Sequence, residues 1–339
     1  MKKATIRNIL FIIGLAAVII MLFTFEVSFR QLWADICRAG YWLFAVIGLW
    51  LVLYVMNALT WLVILRESGE VPISFARLLK ITISGFALNS ATPVGLLGGE
   101  PYKIMEMTPV VGSQRATSSL VLFAMMHIFS HFWFWLTGVV LYLLVMPLQS
   151  GIAVLLALVV LFCFAGIYLF VKGYKNGMMV KLIRALCHIP GCRNWAHRFA
   201  DSHAESLQRI DSQIAALMSQ SRRSFYLSLA LEYIGRMMQA LEIFFMLLIF
   251  DTGGASFLTY IHCVLILAFT SLFANMLFFI PMQMGGREGG FAMSTAQMGM
   301  TNEIGLFISI ISRVRELFWM AVGLALIKVC PTKDPSPTQ

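Results

Sequence analysis

The sequence carries too little charge to cover itself in water: only 12% of its 339 residues are Asp, Glu, Lys or Arg. A soluble domain of ordinary composition holds about 25%. Cysteine is scarce as well, with six residues, which excludes a disulfide scaffold. Cys163 and Cys263 fall inside apolar stretches, and Cys187 and Cys192, beside His188 and His197, match no standard zinc spacing. The sequence also lacks a Walker loop, a dinucleotide fingerprint and a Ser–His–Asp order. No cofactor and no bound metal are therefore expected, and no enzyme activity of a soluble kind.

Apolar sequence is what the chain has in excess: 60% of the residues are hydrophobic. They come in runs at 9–25, 41–65, 81–97, 116–146, 151–171, 224–250, 256–280 and 304–329. Crossing about 30 Å of hydrocarbon takes about 20 helical residues, and only a helix satisfies its own backbone there. The expected fold is all-α, a polytopic transmembrane bundle forming one integral membrane domain over 1–330. The polar stretch 331–339 reads as a disordered tail. Lys2, Lys3 and Arg7 before the first run resemble a signal peptide, but Phe23-Thr24-Phe25-Glu26-Val27 offers no small-x-small cleavage site. That run is expected to be an uncleaved anchor.

Charge sets the orientation. Between Lys172 and Arg223 there are nine basic residues and three acidic ones, so the loop 172–223 and the basic N-terminus are both expected in the cytoplasm of an inner-membrane protein. Basic residues arranged in this way argue for orientation and not for nucleic acid. Both ends of the first half lie on one side only if the third run enters and leaves by the same face. Its sequence suits that, because Asn89, Pro93, Gly95, Gly98 and Gly99 interrupt it and Pro101 fits the first turn of a new helix. A second interruption follows the seventh run, with Asn275, Pro281 and Gly285-Gly286-Arg287-Glu288. Both segments begin Ser-x-Phe-Ala, at Ser84 and Ser271. Paired, broken segments of this kind point to a transporter site between two repeats, here two re-entrant hairpins in an inverted arrangement.

Two amphipathic stripes are expected to lie along the membrane surface or on the bundle. One runs through Phe29, Leu32, Trp33, Ile36 and Cys37, between Ser28 as N-cap and Gly40 as stop; the other runs through Leu207, Ile210, Ile214 and Leu217.

Ionisable groups inside the runs demand a reason, since each costs about 3 kcal/mol to insert. Glu232, Arg236 and Gln239 share one face of the sixth run, with the order that favours a Glu–Arg pair. Ser309, Ser312, Arg313 and Glu316 share a face of the last, with Arg315 off it. Arg313 lies too deep to reach the surface and is expected to meet Glu288 or Glu316. At the Gly-Gly elements a restarting helix would offer free N–H groups and its dipole to an anion, with Lys103 and Arg287 as fixed cations. Glu100 and Glu288 are the matching counter-ions or proton carriers. His127 and His131 are one turn apart among Phe129, Phe132 and Trp133, which suits a buried polar pair better than a metal site.

At these residues the chain resembles the membrane half of the lysylphosphatidylglycerol synthase/flippase proteins and its stand-alone relatives. The similar elements are Thr92-Pro93 through Gly98-Gly99-Glu100 to Lys103, then Pro281, Gly285, Arg287, Glu288 and Gly289, then Arg313 and Trp319. Met282 and Gln283 stand where two glycines are usual. The sequence carries no counterpart of the aminoacyl-transferase domain of bifunctional members, so the resemblance implies lipid translocation and not lysyl-lipid synthesis.

The expectation is a flippase-like transporter for an anionic or phosphate-bearing lipid. Glu100, Lys103, Arg287, Glu288 and Arg313 would hold the head, with Asn89, His127, Glu232, Arg236 and Asn275 in support. Movement would be downhill or coupled to an ion or proton. The rival readings are a membrane-embedded transferase with Glu100, His127 or Glu288 as base, and a non-catalytic partner of a lipid synthase. A second copy of the chain is the other partner considered.

Overall fold

The computed structural model describes residues 29–91, 99–172, 220–250, 254–276 and 286–329, with Ile12 and Ser212 singly. Ten helices build it: α1 (Phe29–Ala39), α2 (Tyr41–Arg66), α3 (Phe75–Ala91), α4 (Gly99–Val111), α5 (Ser113–Val145), α6 (Ser150–Lys172), α7 (Arg222–Leu247, with a 3-10 turn to Phe250), α8 (Phe257–Met276), α9 (Gly286–Gln297) and α10 (Asn302–Val329). No strand occurs among the described residues. Apart from Ile12 and Ser212, the run 9–25, Ser28, the stripe 207–217, most of the loop 172–223 and the tail 331–339 lie outside them, as do Pro93, Gly95, Gly98, Pro281 and Gly285 of the two interruptions.

Five of these helices, α2, α5, α6, α7 with its turn, and α8, are long and apolar enough to cross a membrane. With 28 residues α10 has the length, but Arg313, Arg315 and Glu316 lie at its middle. The fold is thus a polytopic helical bundle. By contrast, α4 has 13 residues and α9 has 12, which reach only about 20 Å. Each follows an interrupted helix, α3 and α8, which stop at Ala91 and Met276. Pro101 does fall in the first turn of α4, where a missing N–H is harmless.

Gly40 ends α1 as its sequence suggests. It adopts φ +51°, a left-handed conformation that glycine takes without penalty, and the chain turns directly into α2. Arg38 holds α1 to the bundle by pairing with Glu303 at 2.6 Å. Its guanidinium also lies 4.1 Å from the centre of the Phe250 ring.

The packing obeys an exchange of halves. Swapping α2, α3, α4 and α5 for α7, α8, α9 and α10 turns each neighbouring pair into another that is also packed: α3–α10 becomes α8–α5, α4–α5 becomes α9–α10, and α2–α5 becomes α7–α10. The pair at the centre, α2 and α7, is antiparallel. Trp42 stacks on Phe245 at one end, Trp50 donates to Glu242, and Glu67 meets Ser221 at the other end. The halves are therefore inverted. The α3/α4 hairpin opens toward the end of the bundle where α7 begins. The α8/α9 hairpin opens toward the end where Arg38 meets Glu303.

Apolar burial does not drive helices together in lipid, so close approach and interhelical hydrogen bonds set the packing. A Cβ on Gly138 would press on Ala268, and one on Gly323 on Ala87 and the Ile83 carbonyl. The serine of each Ser-x-Phe-Ala segment bonds to the long helix of the other half: Ser84 donates to the Gly323 carbonyl, and Ser271 accepts from Trp135 Nε1 at 3.0 Å. Tightest of all is Gly99, where a Cβ would overlap the Gly85 carbonyl and the Asn89 side chain. Gly99→Ala is expected to cost about 1–3 kcal/mol by overpacking, read as a lower melting temperature in detergent. An unchanged melting temperature would mean that the hairpin is looser than described.

Just past the end of α2, Glu67 clasps the start of α7. Its carboxylate accepts from the Ser221 N–H at 2.8 Å and the Ser221 hydroxyl at 3.0 Å. These bonds, the backbone one foremost, hold its carboxyl below the ordinary glutamate range. Because the folded-state value is the lower one, the clasp is complete above the ordinary range and is lost as the pH falls below that range through the lowered value. Amide exchange at Ser221 and Ser224 is expected to quicken in acid, and Glu67→Gln should bring the same faster exchange at neutral pH.

Candidate functional site

The first hairpin is closed on itself. Asn89, near the end of α3, accepts the Gly99 N–H at 2.8 Å and donates to Glu100 Oε1 at 3.3 Å. The same carboxylate oxygen takes Lys103 Nζ at 3.0 Å. The Lys103 stem is buried, passes over the bare Gly85 backbone and ends near the rings of Phe123 and Trp61. The amide and the cation expected to offer themselves to an anion here are thus matched by Asn89 and Glu100.

The second hairpin is arranged differently. Arg287, in the first turn of α9, donates from Nη1 to Glu316 Oε2 of α10 at 3.1 Å. Arg313 donates through Nε and Nη2 to Glu288 Oε1, at 3.1 and 2.9 Å, and through Nη1 to Glu316 at 3.4 Å. Four charges from two helices form one chain, and both partners considered for Arg313 are used. Glu288 Oε2 is buried without a partner. Arg287 has one hydrogen bond in the chain, and its side chain stays 22% exposed at the wall of a cavity.

That cavity, about 380 Å³, lies between the hairpins, with walls from α2, α3, α5 and α7 to α10. Its lining includes Arg287 of α9 with Ser312 and Glu316 of α10, and His127 and His131 of α5 with Glu232 and Arg236 of α7. Asn275 lines it too, its amide donating to the Ser271 carbonyl at 2.7 Å. Glu100, Lys103, Glu288 and Arg313 do not line it.

One expectation is corrected on α7. Glu232 and Arg236 do not pair with each other. Glu232 takes His127 Nδ1 at 2.8 Å, while Arg236 donates to the Ser130 hydroxyl and the His127 carbonyl, both at 2.9 Å. Neighbouring α5 offers an imidazole, a hydroxyl and a carbonyl, and these replace the partner one turn along the helix.

A further ionic group escaped the sequence. Arg315, off the polar face of α10, binds both Glu242 oxygens of α7 at 3.0 to 3.3 Å and lies 3.7 Å from the centre of the Trp50 ring. Trp50 Nε1 donates to the same carboxylate at 2.8 Å. An arginine in the middle of an apolar helix, on the wrong face for its neighbours, was the available signal that a second partner existed. Among the described residues no three His, Cys, Asp or Glu side chains gather as a metal ion would require. His131 stacks on Trp135 and meets His127 edge-on, with ring centres 5.2 Å apart.

Comparison with known proteins adds one match. No curated protein and no solved structure matches the chain. The family model for the lysylphosphatidylglycerol synthase TM region matches residues 10–324, which takes in both hairpins, the cavity and the whole charged stretch of α10. The chain is a multi-pass membrane protein that belongs to the lysylphosphatidylglycerol synthase TM-region family.

Proposed function

We propose that the chain is a flippase-like transporter that moves the polar head of an anionic, phosphate-bearing lipid across the inner membrane, with its basic loop and N-terminus in the cytoplasm. One observation carries the reading. Arg287 is tied to Glu316 on one side and faces the cavity on the other, where hairpins from opposite ends of the bundle converge. A guanidinium presents a planar fork that fits two phosphate oxygens. A volume of about 380 Å³ suits a headgroup, leaving the acyl or prenyl chains in the bilayer. Arg313 and Glu288 hold the charge chain in place, and Lys103 with Glu100 steadies the opposite hairpin.

Mass spectrometry of lipids retained by purified protein tests this. One anionic lipid enriched in the wild type and lost in Arg287→Ala is the expected outcome; the same bulk lipid in both would count against the site. The His127–Glu232 pair also supports a second reading, a lipid transferase with His127 as base. A lipid recovered chemically unaltered after crossing excludes it.

A further inference from the structure

Charges around the cavity balance. Arg236, Arg287, Arg313 and Arg315 stand against Glu232, Glu242, Glu288 and Glu316, and all but Arg236 take part in an arginine–carboxylate or imidazole–carboxylate pair. A phosphodiester entering beside Arg287 brings one negative charge into a site that is already neutral. In a low-dielectric interior an unmatched charge is strongly disfavoured, so a cation must come with it.

Among the groups lining the cavity, histidine is the residue type that gains charge most readily near neutral pH. The His127 side chain is 47% exposed, and its Nδ1 lies 2.8 Å from the buried carboxylate of Glu232. One turn further on, His131 keeps a buried Nδ1 with no partner. The charged groups facing this pair are few. From α7 come Glu232 and Arg236, the latter fixed on Ser130 and the His127 carbonyl; from α5 comes His131. From α4 comes Lys103, near enough to act on the Glu232 carboxylate. On the cavity wall α2 adds the neutral Asn57 and α8 adds Ser271, and α6 packs Phe162 and Phe170 against Phe132 one turn away.

We propose that His127 and Glu232 form a proton-binding site that couples lipid movement to the proton gradient, one proton travelling with each anionic headgroup. The proposal rests on the translocation reading above. The proton arrives from the compartment to which the cavity is open and completes an imidazolium against the Glu232 carboxylate while the phosphate sits by Arg287. It departs with the headgroup on the other side, and no bond of the lipid is made or broken. Headgroup and proton together carry no net charge, so transport follows the pH difference and ignores the membrane potential.

The experiment uses vesicles of phosphatidylethanolamine and phosphatidylglycerol holding the full chain and fluorescently tagged phosphatidylglycerol. Dithionite reads the outer-leaflet fraction. With one-to-one coupling, one pH unit is expected to enrich the tagged lipid about tenfold on the alkaline side. A potassium diffusion potential of either sign should leave that ratio unchanged. Under the same gradient His127→Gln and Glu232→Gln should give no enrichment. A wild-type ratio that follows the potential and ignores pH overturns the proposal without any variant, as does a full gradient response in both folded variants. Wild-type protein that moves the probe no faster than protein-free vesicles overturns the translocation reading, and this one with it.

Discussion

Arg287→Ala is expected to slow lipid movement roughly a hundredfold while leaving the protein folded. Charge-assisted hydrogen bonds contribute about 1.5–3 kcal/mol each, and a loss of about 3 kcal/mol corresponds to roughly a hundredfold. The fold should survive because Glu316, the residue left behind, retains Arg313 at 3.4 Å. Arg287→Lys separates charge from shape: an ammonium keeps the positive charge but not the planar fork, so it should recover only part of the lost rate. Transport assays on variants checked for an unchanged melting temperature make the measurement. Wild-type rates from a well-folded alanine variant would remove Arg287 from the site.

Arg315→Ala should do the reverse, unfolding the protein more than it disturbs any binding step. Arg315 and Glu242 have side chains only 3% and 5% exposed, so solvent screens the pair little. Removing the arginine leaves Glu242 with the Trp50 indole alone. Breaking a buried ion pair on one side costs about 3–5 kcal/mol, whereas exchanging both members for apolar residues is often neutral. The single variant should therefore melt far earlier than wild type, and Arg315→Met combined with Glu242→Leu should restore most of the difference. A single-variant cost below about 1 kcal/mol, the size of a surface pair, would show that the pair contributes little.

Much of this was readable in advance, and what was not had a physical reason. The apolar runs 41–65 and 151–171 became Tyr41–Arg66 and Ser150–Lys172, because an uninterrupted apolar helix has the same length in sequence and in space. The start of α3 at Phe75 was not visible, since Arg77 and Lys80 extend the helix beyond its apolar part. Hydropathy reports the lipid-facing stretch, whereas backbone hydrogen bonds set the helix. Arg313 and Glu316 were legible as partners because they share a helix face. The His127–Glu232 contact joins residues 105 positions apart, and no local spacing encodes which helix will lie alongside. Lys103 illustrates the remaining gap: the sequence offers Glu100 as its counter-ion or as a proton carrier, but only the fold shows the two 3.0 Å apart, with Asn89 on the same carboxylate oxygen.

The one long helix outside the exchange of halves, α6, packs mainly on α5 and turns outward Val154, Leu155, Leu158, Leu161 and Phe164. Its consequence concerns parity. Counting one passage each for α2 and α5 and none for the hairpin between them, the first half ends on the face where it began. A tandem copy joined directly to it would insert the same way up. One additional passage by α6 starts the second half from the opposite face, so a single helix that packs mainly on α5 decides that the two hairpins approach each other from opposite ends.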